Sequence, residues 1–277
     1  MNTTKATSTA SYLAMLTRLN YSADSIKSYR QGLYDFESWM KQTSGKIDWE
    51  NQTSQSVQNY VSNLSTQGYQ YNSVMTKLTA IRTYYKYLIQ LGIMTHNPAQ
   101  YIRTPRKEKK VREGATEDVI MKCLKSPVIT IETKAQIACL WETGIRISEL
   151  LNLDTKDVDK ENQRIKIHGK GNKERWAYYG TMTRFWMNLF IRTRGRIFTR
   201  DERGIRYNIH NALYHNGGER FASPHRIRHG YATRLLNAGC DIETLSRFMG
   251  HESAVTTERY AHLNETTLHT RAQIYQS

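Results

Sequence analysis

The sequence predicts a mainly helical protein with one small β-hairpin, built as two domains on either side of a basic linker. Three observations carry that expectation. Apolar residues in the N-terminal part recur at steps of three and four, the period of a buried helix face. A later stretch, "RIKIHGKGNKERWAYYG", alternates instead, as a hairpin does. Between them, "RTPRKEKKVR" holds six basic residues, one acid and a proline, a composition poorly suited to any core.

Taken in order, Ile26, Tyr29, Leu33, Phe36 and Met40 mark one helix face. Val61 and Leu64 mark a second helix. Leu78, Ile81, Tyr85 and Leu88 mark a third, which ends before Gly92, and the Asn97-Pro98 pair stops regular structure. The first domain is therefore expected to span 1–102. The basic stretch 103–112 reads as a linker, and the second domain as 113–277. There, Ile137, Leu140 and Trp141 line a helix that breaks at Thr143-Gly144. Ile165 and Ile167 alternate with polar residues, "GKGN" turns, and a second strand follows. Helices return after Met182. Ser223 and Pro224 suit the N-cap and first position of a helix whose opening turns carry His225, Arg226, Arg228 and His229. So much positive charge near a helix N-terminus works against the helix dipole unless an anion sits there.

Composition narrows the class. The chain has 277 residues, 39% hydrophobic and 23% charged, which suits a folded protein with a sizeable core. A net charge of +15 and a pI near 9.7 point to a polyanionic partner, most often nucleic acid. The linker residues Arg103, Arg106, Lys107, Lys109, Lys110 and Arg112 are candidates to lie along phosphates, or form a solvated tether. Cys123, Cys139 and Cys240 have neither disulfide nor metal-ligand spacing, which fits a reducing compartment. The first residues give no convincing signal peptide and no window is apolar enough for a membrane span, so a cytoplasmic protein is expected. The scattered acids give no pattern for a two-metal centre, and no cofactor is expected.

Six residues of the second domain carry candidate chemistry through their order and spacing together. Arg146 lies in "TGIRISELLNL", after a glycine break and at the start of a helix. Lys170 lies at the hairpin tip in "HGKGNKER". His225 and Arg228 are three apart in "SPHRIRHGYATRLLNAG", within reach of one helix face. His251 follows Gly250, which closes a helix holding Ile242, Leu245 and Met249. Tyr260 follows in "TTERYAH".

These four boxes, in this order, resemble the tyrosine recombinases, or phage-integrase family. The likeness extends to the N-terminal half, where "YSADSIKSYRQGLYDFESWM" and "LTAIRTYYKYLIQLGIMTHNPA" resemble its helical core-binding domain. The resemblance implies a helical core DNA-binding domain, an α+β catalytic domain, and double-stranded DNA as partner. It implies that Arg146 and Arg228 clamp a scissile phosphate. Lys170 protonates the leaving 5′-hydroxyl, His225 assists as acid or base, and His251 bonds the phosphate. Tyr260 attacks phosphorus to give a 3′-phosphotyrosyl link. Glu149 matches an acid that orients the site, and His229 reads as structural support. "RWAYYG" departs from the proline-containing strand common in relatives, and Met249 from a common leucine.

The residue chemistry agrees. Forked guanidiniums neutralise a phosphodiester and stabilise its transition state. A phenol of pKa about 10 needs nearby cations and a base. After Tyr260, the positions Leu268, Ala272 and Tyr275 keep a helical spacing. The resemblance implies a tail that links a homotetramer on two DNA sites, while spacing alone allows the tail to fold back on its own domain. Tyr275 is a second, weaker nucleophile candidate. A partner recombinase or accessory protein is compatible with the family's range. Two other classes remain open on sequence. One is a non-catalytic DNA-binding regulator, since "LLNAGCDIETLSRFMGHESAVTTERY" passes for a helix-turn-helix. The other is a relaxing enzyme of the type IB topoisomerase kind.

Overall fold

The computed structural model describes residues 8–104, 113–169, 174–191, 195–198 and 201–250. The chain divides into two units, Met1–Lys110 and Val111–Ser277. The first holds helices α1 (Thr9–Arg18), α2 (Ala23–Ser44), α3 (Ser54–Thr66) and α4 (Tyr71–Gln90). Their ends are set by local chemistry. The Ser22 hydroxyl accepts the Ser25 N–H at 3.2 Å ahead of α2, and Gly45 closes that helix in the left-handed region. Thr53 and Ser56 exchange hydrogen bonds as a capping box on α3.

Leu33, Phe36, Met40, Val61, Leu64, Leu78, Ile81, Tyr85 and Leu88 are buried together, as their spacing predicts, with Ile26 and Tyr29 packed at the edge. Helix α1 has no counterpart in the sequence reading. Its buried residues are only Tyr12 and Leu16, too short a pattern to stand out. After α4, the Asn97 amide donates to the Arg82 carbonyl at 3.1 Å and its oxygen accepts the Ala99 N–H at 2.9 Å. That side chain supplies hydrogen bonds the chain loses where Pro98 interrupts it.

The second unit is arranged around α6 (Ile131–Thr143), which is buried almost all round. Preceding it is α5 (Glu117–Lys125), and following it the short α7 (Ile147–Leu151). A three-stranded antiparallel sheet comes next, in the order β1 (Val158–Asp159), β2 (Arg164–His168), β3 (Glu174–Tyr178). Strand β1 is two residues long, too short to register as a sequence pattern. Ile165 faces Ala177 and Ile167 faces Arg175 across β2 and β3.

Helix α8 (Thr181–Phe190) starts one residue earlier than Met182. Its free N–H groups are met from α6: the Glu142 carboxylate accepts from Gly180 at 2.9 Å, Met182 at 3.3 Å and Thr183 at 2.8 Å. Helices α9 (Glu202–Gly217), α10 (Pro224–Asn237) and α11 (Ile242–Met249) complete the described part. As the sequence predicts, Ser223 caps α10, with Pro224 at its start, and Gly250 ends α11 in the left-handed region. Among the described residues, no helix is long and apolar enough to cross a membrane.

Candidate active site

Glycine at 144 is what turns the chain from α6 into the site. Its φ of +62° is one that side-chain-bearing residues avoid, and a Cβ there would lie 2.2 Å from the Tyr231 ring of α10. Two residues on, Arg146 is the N-cap of α7. Its N–H donates to Glu149 Oε2 at 2.7 Å, and its guanidinium Nη1 donates to Glu149 Oε1 at 3.0 Å. The local sequence "RISE" thus folds the arginine back onto an acid of its own helix.

Glu149 is the electrostatic centre of the site. Its side chain is 5% exposed, against 17% for Arg175 and 39% for Arg146. Arg175, on β3, grips it with both fork nitrogens, Nη1 to Oε1 at 3.0 Å and Nη2 to Oε2 at 2.9 Å. Burial alone would push the Glu149 carboxyl up. The hydrogen bonds and charge of Arg175, then the N–H and charge of Arg146, outweigh it and hold the pKa below the usual glutamate value.

Three arginines then meet one helix end. Arg175 Nε donates to the Phe248 carbonyl at 3.3 Å, Arg228 Nη2 to the Met249 carbonyl at 2.7 Å, and Arg146 Nη2 to the Gly250 carbonyl at 2.9 Å. These carbonyls lie at the C-terminal end of α11, where the last carbonyls lack helical partners and the dipole is negative. Arg228 is buried and also donates to the carbonyl of Gly144. Arg146 and Arg228, from boxes 82 positions apart in the sequence, are therefore brought to the same few atoms.

His225 lies one turn before Arg228 but is exposed where Arg228 is buried, so the two differ in depth although three apart. His229 is half-buried. Arg226 donates through Nη1 to the Glu113 carbonyl at 2.8 Å. Part of the charge on the opening turns of α10 is thus met by backbone carbonyls. Arg103 is exposed, and its backbone is bracketed by the Gln58 side chain at 3.0 and 3.1 Å. Lys170, His251, Tyr260 and Tyr275 lie outside the described residues, as do Arg106, Lys107, Lys109, Lys110 and Arg112.

Burial disfavours two other nucleophilic groups of this unit. It pushes the Tyr231 phenol up to about 12 and the Cys139 thiol up to about 12, so both stay protonated at neutral pH. Among the described residues, no three His, Cys, Asp or Glu are grouped to hold a metal ion.

Arg175 is the site residue that the sequence reading missed. The signal was there: in "ERWAY" the alternation that buries Ala177 places Arg175 on the same inward side, where an arginine needs a partner.

The catalytic family description "Phage integrase family" matches residues 113–267, and "Phage integrase, N-terminal SAM-like domain" matches residues 9–92. The chain belongs to the phage integrase family. As an integrase-family member it is a tyrosine site-specific recombinase, and membership favours recombination over the regulator and relaxing-enzyme alternatives. It is 30% identical over 270 residues to tyrosine recombinase XerC of Staphylococcus epidermidis, covering 90% of each chain. Its fold is similar to the XerH site-specific recombinase bound to a palindromic difH substrate, with a TM-score of 0.74 at 18% identity over 93% of this chain and 82% of that one. It is likewise similar to the Tn1549 transposon integrase in complex with transposon right end DNA, with a TM-score of 0.75 at 17% identity over 96% and 98%. At those identities the two structures speak to the integrase fold alone.

Proposed function

We propose that this recombinase cleaves and rejoins double-stranded DNA by attack of Tyr260 on a phosphodiester held between Arg146 and Arg228. What supports the reading is one observation: both guanidiniums donate to carbonyls of consecutive residues, Met249 and Gly250, and the next residue begins the segment that leads through His251 to Tyr260. Neutral carbonyls hold the arginines in place without cancelling their charge. A phosphate oxygen accepts more strongly than a carbonyl, so an arriving phosphodiester competes for the same donors.

The chemistry follows from the residues. Arg146 and Arg228 neutralise the non-bridging oxygens and stabilise the extra charge of the transition state. The Tyr260 oxygen bonds to phosphorus as its proton passes to His225 or solvent. The bond from phosphorus to the 5′-oxygen breaks, and Lys170 gives that oxygen a proton. His251 donates to the phosphate. The product is a 3′-phosphotyrosyl link and a free 5′-hydroxyl, so the bond energy is kept and rejoining runs the same steps backwards. No cofactor is required. Residues 1–102 serve as the core DNA-binding domain, 103–112 as a basic strap, and the tail beyond Tyr260 links a homotetramer on two DNA sites.

A nicked suicide DNA substrate tests this, because loss of the short leaving strand traps the covalent complex. The parent chain should give an adduct that Tyr260→Phe abolishes. Arg228→Ala should lower its rate by about 100-fold or more while DNA affinity changes far less, because the contact counts most in the transition state. An adduct that survives Tyr260→Phe, or equal losses in binding and cleavage for Arg228→Ala, contradicts the assignment.

A further inference from the structure

We infer that Arg175 is a positioning residue for recombination: it neutralises Glu149 and so leaves the charge of Arg146 for the phosphate. The inference rests on the function proposed above.

A charge count motivates it. Glu149 is buried between two arginines, so the trio carries one net positive charge. Without Arg175, Glu149 and Arg146 would form a neutral pair, and an arriving phosphodiester would find no net charge at Arg146. The geometry agrees with that division of labour. Arg175 takes both Glu149 oxygens with its fork, at 3.0 and 2.9 Å. Arg146 spends a single guanidinium nitrogen on Glu149, at 3.0 Å, and points the other at the Gly250 carbonyl. Were Arg175 absent, Glu149 could draw both nitrogens of Arg146 into a forked pair of its own, off the end of α11.

Two more observations place Arg175 in the clamp rather than beside it. Its Nε reaches the Phe248 carbonyl, on the same helix end that Arg146 and Arg228 hold. Its guanidinium also packs on Gly250, where a Cβ would lie 2.7 Å from Cζ, so the residue before His251 is fitted against it. Arg175 further sits at the start of the strand that follows Lys170 in the chain. One side chain thereby ties β3 to Glu149 of the arginine clamp and to the end of α11 at Phe248 and Gly250.

The test is the single-turnover rate of suicide-substrate cleavage by the full chain at saturating DNA. Each variant is measured at a temperature where its melting curve shows it folded. Arg175→Gln should cleave about 30-fold more slowly with DNA affinity within about twofold of the parent. Arg175→Lys, which keeps the charge and loses the fork, should fall between the two. The deciding variant is Glu149→Gln combined with Arg175→Gln. It removes the acid together with its counter-charge and returns the trio to one positive charge. Its rate should recover to within about threefold of Glu149→Gln alone. No recovery, or an Arg175→Gln rate equal to the parent's, overturns the proposal and leaves Arg175 as a structural ion pair. If Arg175→Gln does not fold, the double variant and Arg175→Lys decide the matter. The double variant must then match Glu149→Gln within that factor, and Arg175→Lys must cleave more slowly than the parent. A parent chain with no Tyr260-dependent adduct overturns the recombination reading and this proposal with it. A parent that forms the adduct while the rescue fails overturns this proposal alone.

Discussion

Glu149 is where charge and stability meet. Its carboxyl is held below the glutamate value of 4.5 once Arg175 and Arg146 outweigh the cost of burial. A group whose pKa is depressed by folding contributes stability that is complete above its unfolded pKa and is lost as pH falls through the folded one. Urea melts between pH 7 and 3 should therefore show the parent losing stability towards the acid end faster than Glu149→Gln, which has no proton to take up there. Parallel curves for the two proteins would contradict the buried ion pair. At this scale the sequence shows part of the site plainly. Arg146 and Arg228 are candidates through the order and spacing of their boxes together, each being a weak signal when taken singly. Arg175 stands in one of the same boxes, and the alternation of β3 marks it as inward-facing, but the local pattern does not name its partner, a carboxylate 26 positions away.

Helices and strands were legible in proportion to their length. The 20-residue α4 buries residues at every turn and is predicted from spacing alone. The two residues of β1 pair with β2 and have no period of their own. Helix ends divide in the same way. Ser223 before Pro224 is a local signal, and it caps α10 as expected. The N-terminus of α8 is capped by Glu142, which lies 38 to 41 positions earlier and arrives only through packing. Its carboxylate meets three N–H groups at the positive end of that helix, so Glu142→Ala should cost roughly 1–3 kcal/mol. Chemical denaturation would read it as a lower midpoint with unchanged slope. An unchanged midpoint would mean that water serves the three N–H groups equally well.

For the whole molecule, the net charge of +15 calls for a polyanion, and DNA meets that need through phosphates. If the basic strap lies along the duplex, replacing Lys107, Lys109 and Lys110 by glutamine should flatten the plot of log affinity against log salt by about 2–3 units of slope. A titration series over a range of salt checks it, and an unaltered slope would show that the strap stays off the DNA. Net charge pointed to a polyanion, and the order of the boxes to the family, from sequence alone. The joining of Arg146, Arg175 and Arg228 at one helix end was not legible, because it depends on α7, β3 and α10 packing on α6 and on α11 packing on α10.

The central claim is that the phenol of Tyr260 is the group that becomes linked to phosphorus. Peptide mapping of the trapped covalent complex tests it most directly. Trypsin cuts after Arg271, which separates Tyr260 from Tyr275, and cuts around Tyr231 on both sides. The nucleotide mass should appear on the peptide that ends at Arg271. Its appearance on the C-terminal peptide with Tyr275, or on the peptide with Tyr231, would contradict the account.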